Sequence, residues 1–150
     1  FLLILDHLQD PGNLGTIMRA AEAAGVTGIL MSSDCVDIYN PKTIRSTMGA
    51  LYRVPFVVSE DFTGDIERLK KAGVSTYAAH LGATISYEGA DYKKPCAFMI
   101  GNEANGLSDE VAALADCKIL IPMAGQVESL NAAMAATVLM FEAARQRRQN

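Results

Sequence analysis

Six short, unbroken apolar runs limit what this chain can fold into: FLLIL (1–5), TGILM (27–31), VPFVVS (54–59), VSTYAA (74–79), CAFMIG (96–101) and CKILIP (117–122). A strand that is apolar throughout, with no polar alternation, is covered on both faces, and helices supply that cover when strands and helices alternate along the chain. The stretches between the runs have helical character. The sequence therefore predicts an α/β fold, a parallel sheet flanked by helices. With 150 residues, the chain suits one domain spanning 1–150, long enough to bury a sizeable core.

Helix ends can be assigned from the cap residues. Asn13 is placed to cap a helix over 14–24 that Gly25 closes, and Asn40 followed by Pro41 opens another over 41–49. Asp61 and Gly73 bracket a third, Ser108 opens a short one running to Ala115, and Ser129 heads the long SLNAAMAATVLMFEAARQRR. This last helix has an apolar surface wider than one stripe, which predicts burial on two sides, against the sheet and against another subunit.

Composition excludes several classes. Half the residues are hydrophobic and a fifth charged, as in a soluble globular protein. The apolar C-terminal run is interrupted by Asn131, Thr137 and Glu142, so neither a signal peptide nor a membrane span is expected. Three cysteines, Cys35, Cys96 and Cys117, form no C-x-x-C pair. They read as buried free thiols of a reducing, cytoplasmic compartment. His7 and His80 stand alone, without zinc-ligand spacing, so no metal site is assigned. A net charge of −4 argues against a surface that coats nucleic acid everywhere and leaves room for a local patch. The chain begins without methionine, inside an expected strand, which leads us to expect a preceding segment.

Ligands of such sheets bind at the C-terminal ends of strands, and three of those ends carry polar sequence. The first is DPGNLGTIMR, with Asn13 and Arg19. A strand, a glycine turn and a helix start resemble a dinucleotide site, and Asp34 even falls about 20 residues on. However, a G-x-G-x-x-G starting at Gly12 would need glycines where Leu14 and Ile17 stand, which counts against a nicotinamide-dependent enzyme. Taken alone, Asn13 reads equally as a cap and Arg19 as a surface charge. The second end is IGNEANGLSDE (100–110), where Gly101, Asn102, Asn105 and Gly106 suit a tight loop, either a plain turn or one presenting N–H donors to a ligand. Glu103, at the mouth of a buried strand, must there be paired or used. The third is IPMAGQVESLNAAMAA (121–136). Ser129 suffices as a cap, so Asn131 is left to find another partner, a ligand being one candidate.

In order, these stretches read N-L-G-x-x-x-R-x-A-x-A-x-G (13–25), I-G-N-E-x-x-G-L (100–107) and I-P-M-x-G-x-V-x-S-L-N (121–131). Together they resemble the SpoU, or TrmH-like, RNA ribose 2′-O-methyltransferases of the SPOUT superfamily. NPKTIRSTMGALYRVPF (40–56) is similar to the stretch that family carries between its second and third strands. The resemblance implies a SPOUT fold with a C-terminal trefoil knot, which no periodicity could announce because threaded chains are against the usual rule. It also implies a homodimer formed through the knot region and the C-terminal helix. S-adenosyl-L-methionine would be bound in the knot by Leu81, Gly82, Gly101, Ile121, Met123 and Leu130.

By the same resemblance, Asn13, Arg19, Glu103, Ser129 and Asn131 are the functional polar residues, and the reaction is methyl transfer to a ribose 2′-hydroxyl of rRNA, or less readily of tRNA. A guanidinium does not readily give up its proton, so Arg19 is expected to grip the phosphate or ribose and stabilise the developing alkoxide. Glu103 is expected to orient Arg19, Asn13 and Asn131 to fix the loop and substrate, and Ser129 to hydrogen-bond nearby. Lys42, Arg45, Arg53, Arg145, Arg147 and Arg148 are candidate phosphate contacts. Many family members carry a separate N-terminal RNA-binding domain, which the missing start of this chain fits. A non-catalytic RNA-binding or assembly factor retaining the fold is the alternative.

Overall fold

In a computed structural model describing residues 1–149, each of the apolar runs becomes a strand. In chain order the elements are β1 (Leu2–Leu5), α1 (Pro11–Ala24), β2 (Gly28–Ser32), α2 (Pro41–Ser46), a 3-10 turn (Ala50–Tyr52), β3 (Phe56–Ser59), α3 (Phe62–Lys71) and β4 (Ser75–Ala79). There follow β5 (Ile85–Ser86), a second 3-10 turn (Tyr87–Gly89), β6 (Cys96–Ile100), α4 (Asp109–Ala113), β7 (Cys117–Leu120) and α5 (Ala132–Arg148). The strands form one sheet in the order β3-β2-β1-β6-β4-β7-β5, and every pairing is parallel.

Burial explains why the runs are apolar throughout. β1 lies between β2 and β6, with Leu3 opposite Ile29 and Phe98. On one face, Leu3, Leu5 and Phe98 pack against Leu14, Ile17 and Met18 of α1 and against Leu139 and Met140 of α5. On the other face, Ile4, Ala97 and Met99 meet Ile66 of α3 and Val111 of α4. Truncating a large side chain in either layer would cost about 2–5 kcal/mol.

β5 was not foreseen. It has two residues and pairs only with β7, through Ile85–Ile119 and Ser86–Leu120, too little sequence to carry a period. It places β7 between β4 and β5, which are joined only by residues 80–84. No helix among the described residues is long and apolar enough to cross a membrane.

Two expected caps are corrected. Asp10, not Asn13, caps α1: its Oδ1 accepts from the Asn13 amide at 2.8 Å, with Pro11 as the first helical residue. The Asp-Pro pair is the stronger start signal because proline there loses no hydrogen bond. Asn131, not Ser129, caps α5, its Oδ1 accepting from the amides of Ala133 (2.9 Å) and Met134 (3.2 Å). Capping by Asn40 and Ser108 is as expected, and Gly25 and Gly73 follow α1 and α3 with φ of 83 and 92. α2 ends at Ser46, earlier than expected, because Met48 (φ 50) and Gly49 (φ 86) turn the chain left-handed. α5 has its buried residues against the sheet and α1, whereas Met134 and Phe141 are exposed.

α1 and α2 approach closely at Gly15, where a Cβ would lie 2.2 Å from the Ser46 Cβ and 2.8 Å from the Thr43 carbonyl oxygen. The fully buried Thr43 hydroxyl, also on α2, has no hydrogen-bond partner. An unsatisfied buried hydroxyl costs free energy that an isosteric methyl does not. Thr43→Val should raise stability by about 1 kcal/mol in urea denaturation, and Gly15→Ala should lower it by about 1–3 kcal/mol through overpacking. A Thr43→Val variant less stable than the parent would contradict this account.

Candidate cofactor cleft and the clamp beside it

The loops leaving β4, β6 and β7 surround a cleft of about 510 Å³. Its walls include Leu81, Gly101, Ile121, Met123 and Leu130, five of the residues expected to hold a cofactor. Gly82 is outside the lining; it follows Leu81, and its amide donates to His80 Nδ1 at 2.9 Å. Among the polar candidates, Glu103 and Ser129 reach the cleft, whereas Asn13, Arg19 and Asn131 do not. His80 and Glu128 line it as well and were missed. For His80 a signal existed, since it directly follows β4, at the end of the sheet where ligands bind.

Gly101 is required by backbone crowding. A Cβ there would lie 2.1 Å from both the Gly106 carbonyl carbon and the Leu107 nitrogen. The loop closes through reciprocal Asn102–Gly106 backbone hydrogen bonds, each 2.9 Å, with Gly106 at φ 68. The Asn102 Oδ1 accepts from the amides of Ala104 (2.9 Å) and Asn105 (3.1 Å), and its Nδ2 donates to the His7 carbonyl at 2.9 Å. Asn102 thus shapes the loop, a role its place in the second polar stretch did not reveal.

Glu103 ties the polar stretches together. Its carboxylate accepts from the amides of Gln9 (3.1 Å) and Asp10 (2.9 Å) and from Asn13 Nδ2 (3.3 Å). Asn13 Oδ1 in turn accepts from Asn131 Nδ2 at 3.1 Å. Burial alone would raise the Glu103 pKa, but hydrogen bonds from Asp10, Gln9 and Asn13 outweigh it and hold the carboxyl below its usual range. The turn between β1 and α1, where a dinucleotide phosphate would sit, is thus filled by the chain's own carboxylate.

The expected Glu103–Arg19 contact is not formed. Among the described residues no carboxylate lies within ion-pair distance of Arg19, which is exposed. Six residues turn an α-helix through roughly 600°, leaving Arg19 about 240° from Asn13 around α1, on another side. Several candidate phosphate contacts already have partners. Arg53 binds Glu22, Arg145 binds Glu142, and Arg147 donates to the carbonyls of Tyr92 and Lys94 and lies over the Phe1 ring. Cys35, Cys96 and Cys117 are free thiols, Cys96 buried and the others half-buried.

An uncharacterized tRNA/rRNA methyltransferase of Synechocystis sp. is 41% identical over 96% of this chain and 53% of its own length. The 23S rRNA (guanosine(2553)-2′-O)-methyltransferase RlmP of Bacillus subtilis is 35% identical over 93% of the chain and 56% of its own length. The chain thus spans about half the length of these relatives. The crystal structure of the SpoU methyltransferase AviRb from Streptomyces viridochromogenes, in complex with AdoMet, superposes with a TM-score of 0.92 at 34% identity, covering 100% of this chain and 61% of the other. The pattern of the SpoU rRNA Methylase family matches residues 1–141, and the chain belongs to that family.

Proposed function

We propose that these 150 residues are the catalytic domain of an S-adenosyl-L-methionine-dependent RNA methyltransferase acting on a ribose 2′-hydroxyl, of rRNA in preference to tRNA. The observation that carries this reading is the cleft at the ends of β4, β6 and β7, lined by Leu81, Gly101, Ile121, Met123 and Leu130. Its chemistry fits the cofactor: apolar side chains offer walls to a flat adenine, and Glu128 and Ser129 supply polar groups. AviRb, of the same fold, is described in complex with AdoMet. When bound, that cofactor supplies an electrophilic methyl group on a sulfonium centre.

The chain's own residues divide the remaining work. Arg19 grips the RNA phosphate or ribose and stabilises negative charge developing on the hydroxyl oxygen; its guanidinium stays protonated and does not act as base. Asn13, Glu103 and Asn131 hold the loops in register, and such alignment can supply several kcal/mol by making the step effectively unimolecular.

The proposal includes a trefoil knot. Residues 80–84 link β4 to β5 across the end of β7 from which residues 121–131 must leave, and that placement favours threading. Further support comes from the last helix, where Gln146 Oε1 accepts from the Tyr92 amide at 2.9 Å and Arg147 donates to the Tyr92 and Lys94 carbonyls. The proposal also includes a homodimer through this region and α5. Met134 (61% exposed) and Phe141 (42%) are seven residues apart on one helix face, and Leu81, Val127 and Leu130 are exposed apolar groups on the knot-region loops. A dimer would also give a use to Arg19, which lies outside the cleft of its own chain. Free thiols at Cys35, Cys96 and Cys117 suit a cytoplasmic setting.

Calorimetry with S-adenosyl-L-methionine tests the cleft. The chain should bind it, and Leu81→Glu should weaken binding at least tenfold; failure of the parent chain to bind would leave the non-catalytic RNA-binding factor as the better reading. Arg19→Ala should keep cofactor affinity while lowering single-turnover methylation roughly 100-fold or more, and full turnover would remove Arg19 from the site. Sedimentation should give twice the 16.0 kDa mass, and Met134→Lys with Phe141→Glu should yield monomer. Because the folded-state pKa of Glu103 is depressed, its contribution is complete above the ordinary value of 4.5 and lost as pH falls below it. Glu103→Gln should therefore cost about 1 kcal/mol at neutral pH, with a gap to the parent that closes on acidification. A gap constant down to pH 3 would show that the charge is not what matters.

A further inference from the structure

The segment from Tyr39 to Arg53 crosses the surface beside α1 and exposes more aromatic and basic surface than packing asks for. Tyr52 is 80% exposed, Tyr39 62% and Met48 66%. Tyr39 is held edge-on to Phe56, ring centroids 6.4 Å apart, with its amide donating to Asp37 at 2.9 Å. Lys42 and Arg45, three residues apart on α2, share one side of that helix. Among the described residues neither has a carboxylate within ion-pair distance. Asp37 and Glu22 are the acids nearby, the first engaged by the Tyr39 amide and the second by Arg53.

Arg19 borders the same face. α1 meets α2 at Gly15, one turn before Arg19 on the same side of the helix, and Glu22, three residues further, holds Arg53 beside the 3-10 turn. Gly15, Arg19 and Glu22 therefore mark the side of α1 that flanks α2. On a chain with net charge −4, the three cations Arg19, Lys42 and Arg45 have no ion-pair partner among the described residues and accompany two exposed tyrosines.

We propose that this face binds a single-stranded stretch of the RNA, with Tyr52 and Tyr39 stacking on bases, Lys42 and Arg45 contacting phosphates, and Arg19 at the edge that leads to the reacting ribose. The choice of RNA rests on the methyltransferase reading. Unpaired cations beside exposed aromatic rings are what single strands bind, because every base has a face to stack and every linkage a charge to neutralise. Arg53, a phosphate candidate from sequence, is instead the strut that holds the 3-10 turn to α1.

Fluorescence anisotropy with a short labelled single-stranded RNA of mixed sequence tests the face. Tyr52→Ala should weaken binding about tenfold, and Tyr52→Phe should restore most of it. Lys42→Glu with Arg45→Glu should weaken binding further and flatten its dependence on salt, while Lys71→Glu on α3 should change neither. Equal RNA affinity in parent and variants overturns the proposal, as does a parent chain that binds no RNA. Calorimetry with S-adenosyl-L-methionine on the same samples separates the two readings. Cofactor binding with RNA affinity indifferent to these variants removes this face and leaves the methyltransferase reading intact. Absent cofactor binding removes that reading, and the face then stands or falls on anisotropy alone.

Discussion

The arrangement of the site depends on a carboxylate seated at a helix start. Glu103 places its charge against the amides of Gln9 and Asp10, just before α1, where unsatisfied N–H groups and the helix dipole favour an anion. Each such charge-assisted bond is worth more than a neutral one, and the seat joins residues more than 90 positions apart in sequence. Asn13 extends the link to Asn131, which simultaneously caps α5. One chain of hydrogen bonds thus fixes the β6–α4 loop, the first turn of α1 and the first turn of the final helix. Two of the three loops around the cleft take their positions from it.

The sheet order divides the molecule along β1 and β6. On the β4-β7-β5 side, strand ends open into the cleft. On the β3-β2-β1 side, the same face of the sheet is covered by α1 with α2 against it. β6 is buried throughout, and the loop leaving it is too crowded at Gly101 for any side chain. A close-packed centre that deforms little therefore separates an apolar cleft from an exposed surface carrying tyrosines and cations.

The strands were legible because burial on both faces leaves a continuous apolar signal. β5 was not, because two residues beside one neighbour leave none. The caps divide along similar lines. Asn40-Pro41 and Ser108 were correct, whereas Asp10 competed with Asn13 and Asn131 with Ser129; the proline after Asp10 favours the first of one pair, and the contact of Asn131 with Asn13 bears on the other. Asn131 is the instructive case. The expectation that it would need a second partner is met by Asn13, yet the same side chain also caps the helix, one amide atom serving each purpose. Four of the cleft-lining residues, Gly101, Ile121, Met123 and Leu130, stand at fixed positions of the quoted patterns, whereas His80 lies outside them and Glu128 falls on an unspecified position.

Polar residues grouped in one motif need not share one task. Asn13 and Arg19 fall six positions apart on one helix, and rotation alone sends them to different sides, the first into the Glu103–Asn131 link and the second outward beside α2. A contact between Glu103 and Arg19 would have to displace partners that already use both Glu103 oxygens. Two of those partners are backbone amides at the foot of α1, which would otherwise be left unsatisfied. Among the described residues Arg19 pairs with no carboxylate, and an anion from outside could meet it without dismantling the clamp. Asn13, Glu103 and Asn131 share one link that sets loop position, whereas Arg19 stands apart from it, although all four lie within the same family pattern.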